Sequence, residues 1–201
     1  MRHDGVMTPH VPISRHLDLF SYWLSKRNGR LIPARRDMDP GELATLLPFL
    51  FIIDKAADEF RYRLMGTSMV QDHGRDLTGK PFNAYVGNSP EAIAATQAVN
   101  EHIFANAQPV FAMAHHATGH GNIQNTSVLL LPLSDDGRHV NMYVATRVAC
   151  FNRDVTASRN WPVGARLKLL DAIDIQHASV LERRCLDWKG VFGGPLALRK
   201  T

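Results

Sequence analysis

The sequence predicts an α+β fold, and three observations carry that reading. Two strand candidates stand close together early in the chain, Phe49–Ile53 and Phe60–Gly66. A long helix candidate, Ala92–Asn106, follows after a loop-rich stretch. Three further strand candidates then come in succession: Pro109–Ala117, Gln124–Leu133 and His139–Val148. Strands grouped apart from helices, rather than alternating with them, are the pattern of α+β domains.

Taken in order, residues 1–13 read as a loose arm containing proline. Ser14 can cap a helix running to Asn28, with Leu17, Phe20, Trp23 and Leu24 at helical spacing on one face. Lys26 and Arg27 suit its last turn, and Gly29 suits the left-handed position beyond it. In the stretch GRLIPARRDMDPGELATLLPFLFIID, Asp39, Pro40 and Glu42 make a capping-box pattern for a short helix that Pro48 would stop. The strand Phe49–Ile53 follows at once. Phe60–Gly66 alternates, placing Phe60, Tyr62 and Leu64 on one face and Arg61 and Arg63 on the other, so the two strands form a hairpin.

Short helical pieces and turns fill Thr67–Asn88, and Ser89-Pro90-Glu91 starts the long helix. The middle strand of the last three carries VLLLPL, apolar on both parities, which requires both sheet faces to be covered. In the final strand Val140, Met142, Val144 and Val148 share a face, with Asn141, Tyr143 and Arg147 opposite. Beyond Phe151, Pro162–Ile175 has helical spacing at Val163, Leu167, Leu170 and Asp174, and Ser179–Trp188 reads as a second helix. The organisation expected is therefore 1–28 as arm and amphipathic helix, 29–150 as core, and 151–201 as a helical extension.

Composition narrows the class. The chain has 201 residues, 45% hydrophobic and 21% charged, enough to bury a real core. No apolar run approaches the roughly 20 residues of a membrane span, and the first residues lack the apolar core of a secretory signal. Two cysteines, Cys150 and Cys185, give no disulfide framework, and a cytoplasmic location is expected. The net charge is +4 with basic residues, mostly arginine, scattered rather than massed in a stripe, so nucleic-acid binding is not expected.

The run GRLIPARRDMDPGELATLLP resembles the lead-in of a compact bacterial group of PAS domains, which reads roughly GRLxPxRxDxDPxxLxxLLP. The element order agrees, and the segment RYRLMGTSMVQDHGRDLTGKPF falls where that family has its second strand, a short helix and the loop toward the long helix. The resemblance implies a five-stranded antiparallel sheet with helices packed across one face. It places a ligand pocket between sheet and helices, for which Tyr62, Leu64, Phe82, Tyr85, Met142 and Val144 are the candidates. The alternative for these side chains is a solid core. The N-terminal stripe Leu17, Phe20, Trp23 and Leu24 would cover the outer sheet face or meet a second subunit, and it is the expected interaction helix.

Few residues suggest chemistry. His115, His116 and His120 form HHxxxH, but neighbours on a strand point to opposite faces, so a shared metal is not expected. His102 lies on the helix that supplies the proximal ligand in haem-binding relatives, yet its surroundings do not resemble that branch. No cysteine stands between Met1 and Ala149, which removes the covalent photochemistry of the family's flavin receptors. No GxSxG, HExxH or phosphate loop occurs, and Ser134-Asp135-Asp136 forms no recognisable catalytic pattern. Arg35, Arg36 and Asp37 could meet an anionic partner or simply pair among themselves.

The function expected is a cytoplasmic sensory or regulatory domain, not an enzyme. It would bind a small molecule, a protein partner or both, form a homodimer, and relay its signal by conformational change. A ligand-free interaction module with a solid core is the alternative, and an uncharacterised enzyme is a third reading.

Overall fold

The structure is a computed structural model that describes residues 14–86, 90–117, 123–150 and 166–172. Its ordered elements are α1 (Ser14–Ser25), β1 (Leu50–Ala56), β2 (Glu59–Met65), α2 (Thr67–His73), α3 (Asn83–Val86), α4 (Pro90–Asn106), β3 (Val110–Ala117), β4 (Ile123–Leu133), β5 (Met142–Cys150) and β6 (Arg166–Ala172). Every strand pairing is antiparallel, and the order across the sheet is β2-β1-β5-β4-β3-β6. The expected five-stranded sheet is therefore present, with one strand added.

The sheet is covered on both faces, as the apolar β4 requires. On one face α1 packs Leu19, Phe20 and Trp23 against Leu129, Leu131, Leu133, Met142 and Val144. On the other, Met69 of α2 and Val99 and Ile103 of α4 meet Phe51, Ile53, Tyr62, Val128, Leu130 and Tyr143. Alternation along β5 divides its side chains between the layers: Met142 and Val144 face α1, Tyr143 and Ala145 face α4.

Three local expectations are corrected. The segment after Asp39 is not a capped α-helix but a run of turns closed by bonds such as Leu43 N to Pro40 O and Leu46 N to Leu43 O, ending in a 3-10 turn at Leu47–Phe49. Asp39 Oδ1 accepts the Gly41 amide at 2.8 Å, a local turn that competes with helix initiation. Glu42 does not complete a capping box; it reaches the Lys26 ammonium at 2.5 Å. Pro48 lies within the 3-10 turn rather than ending a helix.

Strict alternation in β2 also fails. Ile52 opposes Leu64 while Ile53 opposes Tyr62, so Arg63 is an extra residue in the ladder. A bulge of this kind reverses the parity beyond it. Tyr62 and Met65 thereby enter the α4-side layer, and Leu64 turns to the α1 side.

The third correction is at the C-terminal side. Arg166–Ala172, expected within a helix, is instead a strand along β3. Residues at 3.6-residue spacing in a short apolar run can also satisfy a strand, and the open edge of β3 supplies unpaired backbone groups that a helix could not meet. The second helix expected, over residues 179–188, lies outside the described residues.

Gly66 marks a close approach of backbone to backbone. It follows β2 and is buried, and a Cβ there would run into the carbonyl oxygens of Leu47 and Pro48. Its amide bonds Leu50 O at 2.7 Å, which fixes α2 beside the 3-10 turn before β1.

Candidate functional site

The α4 side of the sheet offers a place for a ligand that the core side chains do not fill. A cleft of about 350 Å³ opens between the β1–β2 hairpin, the segment before α3, and α4. Lys55, Asp58, Glu59 and Phe60 come from the hairpin, Pro81 and Phe82 from the segment leading into α3, and Asn83 from the start of α3. The helix α4 contributes Ile93, Thr96, Gln97, Asn100 and Glu101, which recur at helical spacing and so share one face.

The cleft wall is anchored from below. Tyr62 stacks on Phe82 with centroids 5.2 Å apart, and Phe60 meets Phe104 at 5.1 Å. The buried Tyr143 donates its hydroxyl to Asn100 Oδ1 at 2.8 Å, tying β5 to α4. Burial raises the Tyr143 phenol well above its ordinary value, so it remains a donor. Asn100 and Thr96 are only 2% and 4% exposed, yet both line the cleft. Gln97 Nε2 donates to Glu101 Oε1 at 2.9 Å, and Arg61 pairs with Glu59 at 2.5 Å.

The six ligand candidates do not converge. Tyr62 and Phe82 lie on the cleft side, with Phe82 on its wall. Leu64, Met142 and Val144 lie in the opposite layer, against α1, so the sheet separates them from Tyr62. The Arg63 bulge accounts for Leu64; for Met142 and Val144 the alternation was legible but the face was not. Tyr85 falls in α3, and its side chain is outside the described residues.

Sequence reasoning passed over Thr96, Asn100 and the charged hairpin tip. The available signal was Thr96 and Asn100, one turn apart in a long helix and on its buried face.

The expected interaction helix is spent within the chain. Phe20 and Trp23 are buried on the sheet, and Trp23 Nε1 donates to Pro132 O at 2.8 Å. Leu17 and Leu24 pack at the margin of the same cluster. His16, not singled out from sequence, is fully buried among them: Nδ1 lies 2.6 Å from Thr146 Oγ1 and Nε2 lies 2.8 Å from Ser127 Oγ. The Phe20–Trp23 face therefore covers the outer face of the sheet.

Other candidates take structural roles. Asp37 pairs with Arg30, while the Arg35 amide donates to Ser134 O at 2.7 Å. Ser134-Asp135-Asp136 is a turn: Ser134 Oγ donates to Asp136 Oδ1 at 2.6 Å, and the same oxygen accepts the amides of Arg138 and His139. The Ser134 hydroxyl and these donors hold the Asp136 carboxyl well below the usual carboxylate range. His102 Nδ1 lies 3.2 Å from Asn106 Nδ2, and its Nε2 is buried without a hydrogen-bond partner. His115 and His116 occupy successive positions of β3, paired with Asn125 and Gln124, and His120 is outside the described residues. No group of three potential metal ligands occurs among the described residues.

Residues 12–144 match the family model described as the PAS domain, well over half of the chain. The chain belongs to the PAS-domain family. The matched span takes in α1, the whole helical layer and the start of β5, so both covered faces of the sheet belong to this PAS domain.

The fold is similar to a light-oxygen-voltage domain studied with a flavin analogue, at 12% identity and a TM-score of 0.46, over 57% of this chain and 84% of that one. It is similar to the light-oxygen-voltage domain of a blue-light-activated histidine kinase from Erythrobacter litoralis, at 20% identity and a TM-score of 0.43, over 51% and 96% of the two chains. A light-oxygen-voltage protein of Rhodobacter sphaeroides is similar at 11% identity and a TM-score of 0.43, over 60% and 71%. No curated protein gives a significant match. PAS domains are in general sensory signalling modules. No helix among the described residues of this one is long and apolar enough to cross a membrane.

Proposed function

We propose that this PAS domain is a cytoplasmic sensory module that takes a small molecule in the cleft between the β1–β2 hairpin and α4. Occupancy is relayed to a protein partner by a shift between conformations. The observation that carries the reading is a cleft of about 350 Å³ with two buried polar side chains, Thr96 and Asn100, on its wall. Pockets that bind small molecules begin at about this size, and here Phe60, Pro81, Phe82 and Ile93 supply apolar wall among the polar groups. Asn100 also connects the cleft to β5 through Tyr143, so a ligand that moves the carboxamide acts on the centre of the sheet. The role is recognition rather than catalysis.

Native mass spectrometry of freshly purified protein tests this. A small molecule retained by the native chain and lost from Gln97→Trp, which fills the cleft from an exposed position, supports the reading. Retention that survives Gln97→Trp places the ligand elsewhere and overturns it.

A second reading, a ligand-free interaction module, is favoured by the packing between sheet and α4, where Phe51, Tyr62, Ile103 and Tyr143 leave a filled core. A homodimer belongs to either reading, through a surface other than the buried Phe20–Trp23 face. Light scattering across a concentration series tests it, and a monomer throughout removes it.

A further inference from the structure

The charge of the cleft runs against the charge of the chain. The protein carries a net +4, yet the lining sets three carboxylates, Asp58, Glu59 and Glu101, against one ammonium, Lys55. Glu59 is engaged by Arg61, and Glu101 accepts a bond from Gln97. Asp58 makes no ion pair among the described residues. Between Asp58 and Glu101 the cleft thus holds negative charge that its own walls only partly neutralise.

The aromatic wall points the same way. Lys55 Nζ stands 5.7 Å from the centroid of the Phe60 ring, so a cation already occupies the face of this ring. Rings attract cations at this distance through their negative faces. Lys55 is exposed on a flexible stem at the hairpin, so its ammonium can give way to another cation without disturbing the fold.

Deeper in, Asn100 spends its carboxamide oxygen on Tyr143, and its Nδ2 has no partner among the described residues. The Thr96 hydroxyl one turn away likewise has none. Both side chains are more than nine-tenths buried and line the cleft. Neither atom is sealed from solvent, so each opens on the cleft, where an acceptor on a ligand can take the place of water.

We propose that the ligand class of this cleft is a small organic cation, an amine or guanidine bearing an aromatic or apolar body and a hydrogen-bond acceptor. The cation displaces the Lys55 ammonium from Phe60 and sits against Asp58 and Glu101. The acceptor meets Asn100 Nδ2, and the body lies along Phe82. This rests on the cleft being a ligand site, as proposed above.

The test uses three probes of similar size that share a phenol acceptor and differ in charge: tyramine, tyrosol and 4-hydroxyphenylacetate. Each is titrated into the full chain at physiological ionic strength, with backbone amide chemical shifts as the readout. The amine should shift cleft amides and bind at least tenfold more tightly than the other two. Asp58→Asn with Glu101→Gln should bring the amine down to the affinity of tyrosol. Equal or tighter binding of tyrosol or 4-hydroxyphenylacetate in the cleft overturns the cationic class while keeping the ligand site. No shift of cleft amides with any probe overturns both.

Discussion

Replacing His16 with glutamine should flatten the acid side of the stability profile. Burial, with the charge of Arg15 adding in the same direction, lowers the His16 imidazole to about 3. The groups facing it across the interface are the hydroxyls of Ser127 and Thr146 and the edge of Phe111, none of which can stabilise an imidazolium with charge. In the unfolded chain the same side chain titrates at about 6.5. The folded value is the lower one, so between the two the unfolded state binds more protons, and stability falls as pH falls through that window. From pH 7.5 to pH 5 the difference in proton uptake amounts to about 2 kcal/mol. Glutamine keeps a donor and an acceptor for the two hydroxyls but cannot titrate. Urea unfolding at both pH values is the assay, and with a slope of about 2 kcal/mol per molar the native chain should lose roughly 1 M more in midpoint than His16→Gln. The many exposed carboxylates act alike in both proteins and cancel. Parallel pH profiles would refute the reasoning, because they would mean that His16 is not held neutral in the folded state.

Trp23→Phe should cost about 1–3 kcal/mol by removing the donor to Pro132 O while keeping most of the apolar contact, read as a lowered urea midpoint with an unchanged far-UV spectrum. An effect near zero would mean that the carbonyl finds another partner. Gly66→Ala should be more severe than an ordinary surface change, in the range of about 1–3 kcal/mol or beyond, because the obstacle is backbone that cannot rotate away. Thermal unfolding measures it, and a wild-type midpoint would show that the Leu47–Phe49 turn shifts freely.

Much of the architecture was legible because it is written in periodicity. The spacing of Phe20 and Trp23, the long helix through Ala92–Asn106 and the two-sided apolarity of β4 each dictate burial, and the structure buries them as expected. What was not legible depends on partners remote in sequence. The Arg63 bulge is set by pairing with β1, not by anything in FRYRLMG, so Leu64 took the wrong face. The strand Arg166–Ala172 owes its form to the free edge of β3 rather than to its own spacing. Asp39 prefers its own local turn to the helix cap its position suggested. The cleft was hidden for a related reason: Asp58 and Thr96 come to line one cleft only when the hairpin and α4 are brought together, and neither looks unusual alone.

The two contacts that seat His16 span 130 and 111 residues of chain. A helix near the start is thus completed by hydroxyls on β4 and β5, strands that close the sheet. Its apolar face is complete only once Leu129, Leu131, Met142 and Val144 are aligned beside the nearer Ile32, Met38 and Leu43, so the α1 layer cannot be finished ahead of the sheet it covers. Closing so long a loop carries an entropic cost that only the finished surface can offset. Assembly therefore has an order imposed by topology: the first helix in the sequence is among the last parts to gain its buried area, and contacts of this range belong to slowly folding chains.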